Sequence, residues 1–291
     1  MLRLLLSLAI SATAVAANPH DSEMRLRAEN GKAVVQLLAK GMEHDFGNGK
    51  IQARTSVGLV LSEDKVLVYE PGMPAVQVRD ICRGLHRFGY SRYDVTDVAS
   101  THKHQDHIGN IGMFPNAVIA FGGIVKDVMN FGAKSPTSEF NREFNRATGK
   151  FKETFEKTED VPFTGNVRVL KTTGHSDDSQ TLVVDNVDVK TSDPAFKDTD
   201  KELVKVAFVG DMLMNSDSVV SKTQQVGIEC MSDMHIKNMR RLLCVEKVDF
   251  VVPGHGMTFK NTEEIKNKVD CTGADSLAAI AKQVIPALKT D

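Results

Sequence analysis

The sequence predicts an α/β fold, two β-sheets packed face to face with helices outside, and three observations carry that expectation. Short apolar runs of strand length alternate with segments whose apolar residues recur at helical spacing. No low-complexity linker or repeat divides the 291 residues, and 41% apolar with 25% charged residues is enough to bury one large core. The residues with the strongest chemical signature run from position 102 to position 255, each group directly after an apolar run, so both halves of the chain must meet at one place.

Taken in order, Met1-Leu2-Arg3, the apolar run Leu4 to Ala12 and then Ala14-Val15-Ala16 have the charged, hydrophobic and small-residue parts of a secretory signal peptide, residues 1–16, cleaved after Ala16 or Ala17. The run is shorter than the roughly 20 apolar residues a membrane span needs. Residues 17–291 are expected as a single exported domain with no membrane association. Strands are predicted near Val34–Leu38, Ser56–Leu61, Lys65–Tyr69, Val95–Ser100, Ala117–Phe121, Val167–Thr172, Thr181–Val184, Val204–Val209 and Asp249–Val252, and helices at Val76–Phe88, Asp233–Cys244 and Ser276–Leu288. The charged stretch Asn186 to Glu202 reads as a long hairpin loop.

The segment Thr101-His102-Lys103-His104-Gln105-Asp106-His107 packs three histidines and a carboxylate directly behind the apolar run Val95 to Ser100. In extended backbone alternate side chains point the same way, so His102 and His104 project together while Lys103 faces away. They can bind one metal, and after a turn Asp106 and His107 can address a second point. Three further candidates each follow a strand-like run and a glycine: His175, Asp211 and His255. Imidazole with carboxylate suits zinc, iron or manganese, and the absence of cysteine from the set argues against a closed structural zinc site. Two Zn2+ ions are the expected cofactors, with iron or manganese as alternatives.

The pattern His102-x-His104-x-Asp106-His107, then His175, Asp211 and His255, resembles the signature of the metallo-β-lactamase superfamily. That resemblance implies an αββα sandwich in which His102, His104 and His175 hold one metal, Asp106, His107 and His255 the other, and Asp211 bridges them. The residues around the ligands, such as Gly109-Asn110, Phe114-Pro115 and Val251-Val252-Pro253, are similar to those of the metallo-β-lactamase domain-containing protein 1 group. The dizinc β-lactamases generally use cysteine where Asp211 stands, so the resemblance implies thioester, lactone, ester or phosphodiester hydrolysis instead of antibiotic breakdown. A hydroxide bridging the metals would be the nucleophile, with Asp106 orienting it and passing a proton to the leaving group.

Two other classes compete. A single iron bound by two histidines and one aspartate, as in persulfide-oxidising members of the superfamily, would need fewer ligands than are present. A non-catalytic metal-binding secreted protein would be expected to have lost some of them. The expected partner is a small-molecule or ester-like substrate. A formal charge of −2 gives no bulk attraction for nucleic acid, which is possible as a substrate but not favoured.

Other features are expected to be structural. Cys82, Cys230, Cys244 and Cys271 can form one or two disulfides in an oxidising compartment, with pairing expected within the last three and Cys82 either paired or a buried free thiol. Phe140, Phe144, Phe151 and Phe155 share a helical face, for core packing or for a lid beside the metals. His20, His44, His86 and His235 lack partners at ligand spacing and are expected at the surface or as caps. Tyr90 and Tyr93 are packing residues or rim donors. Ser176-Asp177-Asp178-Ser179 is expected to narrow or charge one rim of the site.

Overall fold

The computed structural model describes residues 25–45, 51–119, 161–226 and 229–271. The expected signal peptide, the helix at Ser276–Leu288, the phenylalanine face from Phe140 to Phe155, His20 and the side chains of His44 and Cys230 lie outside the described residues.

The first half of the chain runs β1 (Ala33–Ala39), β2 (Met42–Asp45), β3 (Ile51–Arg54), β4 (Val57–Ser62), β5 (Lys65–Tyr69), α1 (Val78–Arg87), β6 (Asp97–Ala99), the single turn α2 (Gln105–Ile108) and β7 (Val118–Ile119). The second half runs β8 (Val161–Thr164), β9 (Val167–Lys171), β10 (Gln180–Asp188), β11 (Leu203–Gly210), β12 (Gln224–Val226), β13 (Glu229–Met231), α3 (Asp233–Arg240), β14 (Phe250–Pro253), β15 (Phe259–Lys260) and α4 (Glu263–Val269). Each strand-like run named from sequence contains a strand. The helix expected to reach Cys244 stops at Arg240 and continues as a π-turn, Arg241–Val245.

Strand alternation sorts the apolar side chains into three layers. On β1, Ala33 and Val35 face the second half of the chain, packing with Val60, Tyr69, Leu182, Val206, Phe208 and Phe250 in the central layer. Val34 and Leu38, one residue out of phase, face outward with Leu59, Val68 and Val98 against Ile81 and Leu85 of α1. Opposite them Leu170, Val183, Ala207, Val209 and Val251 pack against Ile236 and Met239 of α3 and Ile265 of α4. The result is helix, sheet, sheet, helix, as expected. The two sheets are joined by one hydrogen-bonded contact, Ala33 with Val187, so the ladder is continuous in the order β15-β14-β11-β10-β1-β4-β5-β6-β7, with β9 and β8 branching from β10.

Several expectations need correction. The 186–202 connection is not all loop: β10 extends to Asp188, and Asp193 caps a short 3-10 turn, Pro194–Phe196, whose Phe196 is fully buried in the central layer. The hairpin of β2 and β3 and the short strands β8, β12, β13 and β15 were not foreseen; they are brief and, apart from β8, polar or split by turns. Cys244 pairs with Cys271 across 27 residues, within the expected trio, whereas Cys82 is a free thiol on the exposed side of α1 and not buried. His86 is exposed, as expected, but His235 is 2% exposed in the core beneath the His175 loop. Tyr90 is a packing residue donating to the Leu26 carbonyl at 2.5 Å, and Tyr93 is exposed; both precede β6, at the end away from the ligand loop.

Candidate metal centre

The carboxyl ends of β5, β6, β11 and β14 converge on one edge of the sandwich, because β6 runs parallel to β5 and β14 parallel to β11. Directly after these ends come Glu70, the segment Ser100 to His107, Asp211 and His255. His175 arrives from the turn between β9 and β10. Two glycines make the convergence possible. Gly210 sits at φ +52°, and a Cβ there would lie 2.1 Å from Thr101 Oγ1. A Cβ on Gly254 would lie 2.1 Å from Asp211 Oδ1, so any side chain would displace the carboxylate.

The structure brings together all seven predicted residues, in two groups that share Asp211: His102, His104 and His175 with Asp211, and Asp106, His107 and His255 with Asp211. In the first, His102 Nε2 and His175 Nε2 lie 2.9 Å and 3.0 Å from His104 Nδ1. Asp211 Oδ2 faces the same point, 3.9 Å from His102 Nε2 and 3.6 Å from His175 Nε2. Its other oxygen faces the second group: Asp211 Oδ1 is 3.2 Å from both His107 Nε2 and His255 Nε2. Asp106 Oδ2 completes that group, 3.3 Å from His255 Nε2 and 3.6 Å from His107 Nε2. Each carboxylate oxygen of Asp211 therefore addresses one cluster of imidazoles.

These residues fit divalent metals on the evidence of their own contacts. His107 Nε2 and Asp211 Oδ1 are buried without a hydrogen-bond partner, a costly state for polar atoms unless something between them is coordinated. Three imidazole nitrogens facing one another at 2.9 to 3.0 Å cannot all be satisfied by shared protons. That spacing approaches the edge, about 3.3 Å, of a tetrahedron with zinc–nitrogen bonds of about 2.05 Å.

Outer contacts orient the rings. Thr101 Oγ1 lies 2.9 Å from His102 Nδ1. Glu70 Oε2 meets His107 Nδ1, while Glu70 Oε1 accepts from the Thr101 backbone N–H and, at 3.1 Å, from Ser100 Oγ. Glu70 reaches them from φ +60°, a left-handed conformation that costs about 1 kcal/mol in a non-glycine residue. Sequence reasoning missed Glu70, although its signal was present: a carboxylate directly behind the apolar strand end Val66 to Tyr69, as Asp211 stands behind β11. Thr55 Oγ1 donates to the Asp106 carbonyl at 2.7 Å, and Asn110 Nδ2 donates to the carbonyls of Pro71 and Met73 at 2.9 and 2.7 Å, tying the loop to the end of β5.

The His175 turn is held by Asn238 Nδ2, which donates to the Thr173 carbonyl at 2.6 Å, and by the His235 ring packed under Gly174. The acidic run beside it does not simply charge the rim. Asp178 Oδ2 accepts from the Lys103 backbone N–H at 3.0 Å and Asp178 Oδ1 from Ser176 Oγ at 2.7 Å, clamping the two ligand loops together.

The two groups differ in charge. Burial, then the neighbouring His107, push His102 well below the usual histidine range, and burial with His175 lowers His104. In the second group burial again opposes the imidazolium, but Glu70 and Asp211 outweigh it and hold His107 well above that range. For His255, Asp106 and Asp211 overcome burial and raise it to about 9. Burial would raise Asp211 and Asp106, yet the facing His107 and His255 hold both below the usual carboxylate range.

Residues 52–189 match the model of the metallo-beta-lactamase superfamily, and the layered fold and the seven-residue site are of that type. Over 86 residues, 29% of this chain and 36% of the other, the protein is 37% identical to metallo-beta-lactamase domain-containing protein 1 of Xenopus laevis. The chain matches only 40% and 36% of the length of its two curated relatives. Among solved structures it superposes on a putative metallo-beta-lactamase of Thermotoga maritima with a TM-score of 0.55 at 20% identity, covering 79% of this chain and 99% of that one. It also superposes on an N-acyl homoserine lactone hydrolase with its product N-hexanoyl-L-homoserine at the catalytic metal centre, TM-score 0.53, 18% identity, covering 79% and 94%. These likenesses establish the fold.

Proposed function

We propose that this protein is a secreted, zinc-dependent dinuclear hydrolase acting on a lactone, ester, thioester or phosphodiester bond, with His102, His104 and His175 holding one metal, Asp106, His107 and His255 the other, and Asp211 shared. The observation that carries the reading is the split of Asp211, Oδ2 towards the first imidazole group and Oδ1 towards the second. Two such metals supply an acidified water and Lewis-acid polarisation of the scissile bond.

The protein's own residues do the rest. His102, His107 and His255 are buried at the floor of the site, whereas His104 is exposed and opens the first group to solvent. Asp106, with a side chain 26% exposed, is the most accessible carboxylate of the set and is ionised at neutral pH, so it can orient the attacking water and carry a proton to the leaving group. The product-bound lactone hydrolase of the same fold supports a lactone as the first substrate class to try. A mono-iron oxygenase would leave the complete second group without a purpose.

Secretion rests on the signal-like residues 1–16 and is supported by the Cys244–Cys271 disulfide, which suits an oxidising compartment. No helix among the described residues is long and apolar enough to cross a membrane. The test is to express the full chain in animal cells, recover it from the medium, and assay lactone, ester, thioester, β-lactam and phosphodiester reporters with metal analysis. Zinc-dependent turnover of one reporter class supports the reading. Retention in the cell, or no hydrolysis by zinc-loaded protein, defeats the part concerned.

A further inference from the structure

Between β1, α1 and the turn after β10 lies a cavity of about 560 Å³ whose lining includes none of the seven metal-site residues. Its volume is in the range that small-molecule pockets occupy, about 300 to 1,000 Å³. Its walls are unevenly charged: Lys40, Arg54, Arg83 and Arg87 bring four cationic side chains against the two carboxylates of Asp80 and Asp193. The Asp193 carboxylate is already engaged, accepting from the backbone N–H of Leu37 at 3.3 Å and of Ala195 at 2.9 Å. The Arg54 side chain is half-buried, and its Nε is buried without a hydrogen-bond partner, one donor of the guanidinium left with nothing to receive it. Leu38, Phe88 and Pro194 supply apolar surface beside these cations, and the Arg87 guanidinium lies 5.7 Å from the centre of the Phe88 ring.

We infer that this cavity binds an organic anion, a molecule carrying carboxylate, sulfate or phosphate groups on an apolar body, with the half-buried Arg54 as the anchor and Arg83 and Arg87 of α1 closing on it. The polar wall also contains Gln77, which donates to the Thr55 carbonyl at 2.7 Å and accepts from Met73 N–H at 2.9 Å. Thr55 is the residue that holds the Asp106 carbonyl. An occupant touching Gln77 is thus a short chain of hydrogen bonds from the metal loop, while the anion site itself stands whether or not the metal centre hydrolyses anything.

The experiment is calorimetric titration of the zinc-loaded full chain with naphthalene-1,5-disulfonate, whose sulfonates are poor zinc ligands, and with naphthalene-1,5-diol as the uncharged control. The expected result is saturable one-to-one binding of the disulfonate, weakened about tenfold by Arg54→Gln and by Arg83→Ala, tightened by Asp80→Asn and not matched by the diol. Arg83 is exposed on α1, so Arg83→Ala is expected to fold, and its melting curve checks that. Equal affinity in wild type and all three variants, equal binding of the diol, or no saturable binding at millimolar concentration each overturns the inference.

Discussion

The two halves of the metal centre are built differently, although one carboxylate serves both. The first group, His102, His104 and His175, is open on the His104 side, its rings face one another, and His102 and His104 are pushed down by burial and by the neighbouring imidazoles. The second, Asp106, His107 and His255, lies against the buried Glu70 carboxylate, and its histidines are pushed up despite burial. In the metal-free chain His102 and His104 are held towards the neutral, receptive form, whereas the second group holds protons that an incoming cation must displace. The first group should therefore fill first, and the second should set the pH dependence of a two-metal enzyme.

The largest break of this asymmetry is removal of a ligand on one side only. His255→Ala is expected to leave one zinc per chain and to lower activity by more than the roughly 100-fold typical of outer-contact changes. His104→Ala should lose zinc from the first group and leave at most one equivalent per chain. Elemental analysis of both variants against wild type decides this, and two equivalents retained in either would show that the proposed partition is wrong.

Glu70 sharpens the comparison next. Glu70→Gln keeps the shape and removes the charge that steadies His107, so zinc affinity at the second group or turnover is expected to fall about 10- to 100-fold, with the first zinc unaffected. Competition with a chelator reads the two steps separately. An unchanged second step would mean that the contact with His107 does not orient the ring.

A smaller, graded effect is expected from pH. With His255 raised to about 9 and His107 also held well above the usual histidine range, the apparent affinity for the second zinc should drop by at least about tenfold per unit as pH falls below about 9, while the first zinc shows a shallower dependence near neutrality. The sign in metal-free protein is the reverse for folding. The stabilisation from protonated His255 is fully present below its ordinary value of 6.5 and lost as pH rises through about 9, so the wild-type advantage over His255→Gln in thermal melts should shrink across that window. An advantage that grows with pH would contradict the assignment.

The disulfide should touch neither group. Cys244→Ser opens a 27-residue loop and is expected to cost about 2 to 4 kcal/mol in denaturant melts, with both zinc equivalents retained.

The convergence of the seven candidate ligands was legible because each follows a strand end or a turn between strands, and these meet at one edge in this architecture. Spacing gave His102, His104, Asp106 and His107, and glycine turns gave His175, Asp211 and His255. Glu70 obeyed the same rule and was passed over because it stands alone, with no glycine before it and no histidine beside it. His235 looked like a surface residue because its burial depends on α3 packing beneath the turn that carries His175, a contact between segments sixty residues apart. The hairpin of β2 and β3 carries little apolar periodicity, so its pairing, from Met42 with Arg54 to Asp45 with Ile51, was invisible locally. The apolar runs of β1, β4 and β5 were legible because each strand buries both faces, one against each core.

The most direct test is metal analysis of wild type and Asp211→Ala purified under identical conditions, paired with turnover of the best reporter substrate. Asp211 supplies one oxygen to each group, so the account predicts two zinc equivalents in wild type, at most one in the variant, and loss of turnover with it. Two equivalents bound and turnover kept in Asp211→Ala would contradict the shared-carboxylate dinuclear centre on which the proposed function rests.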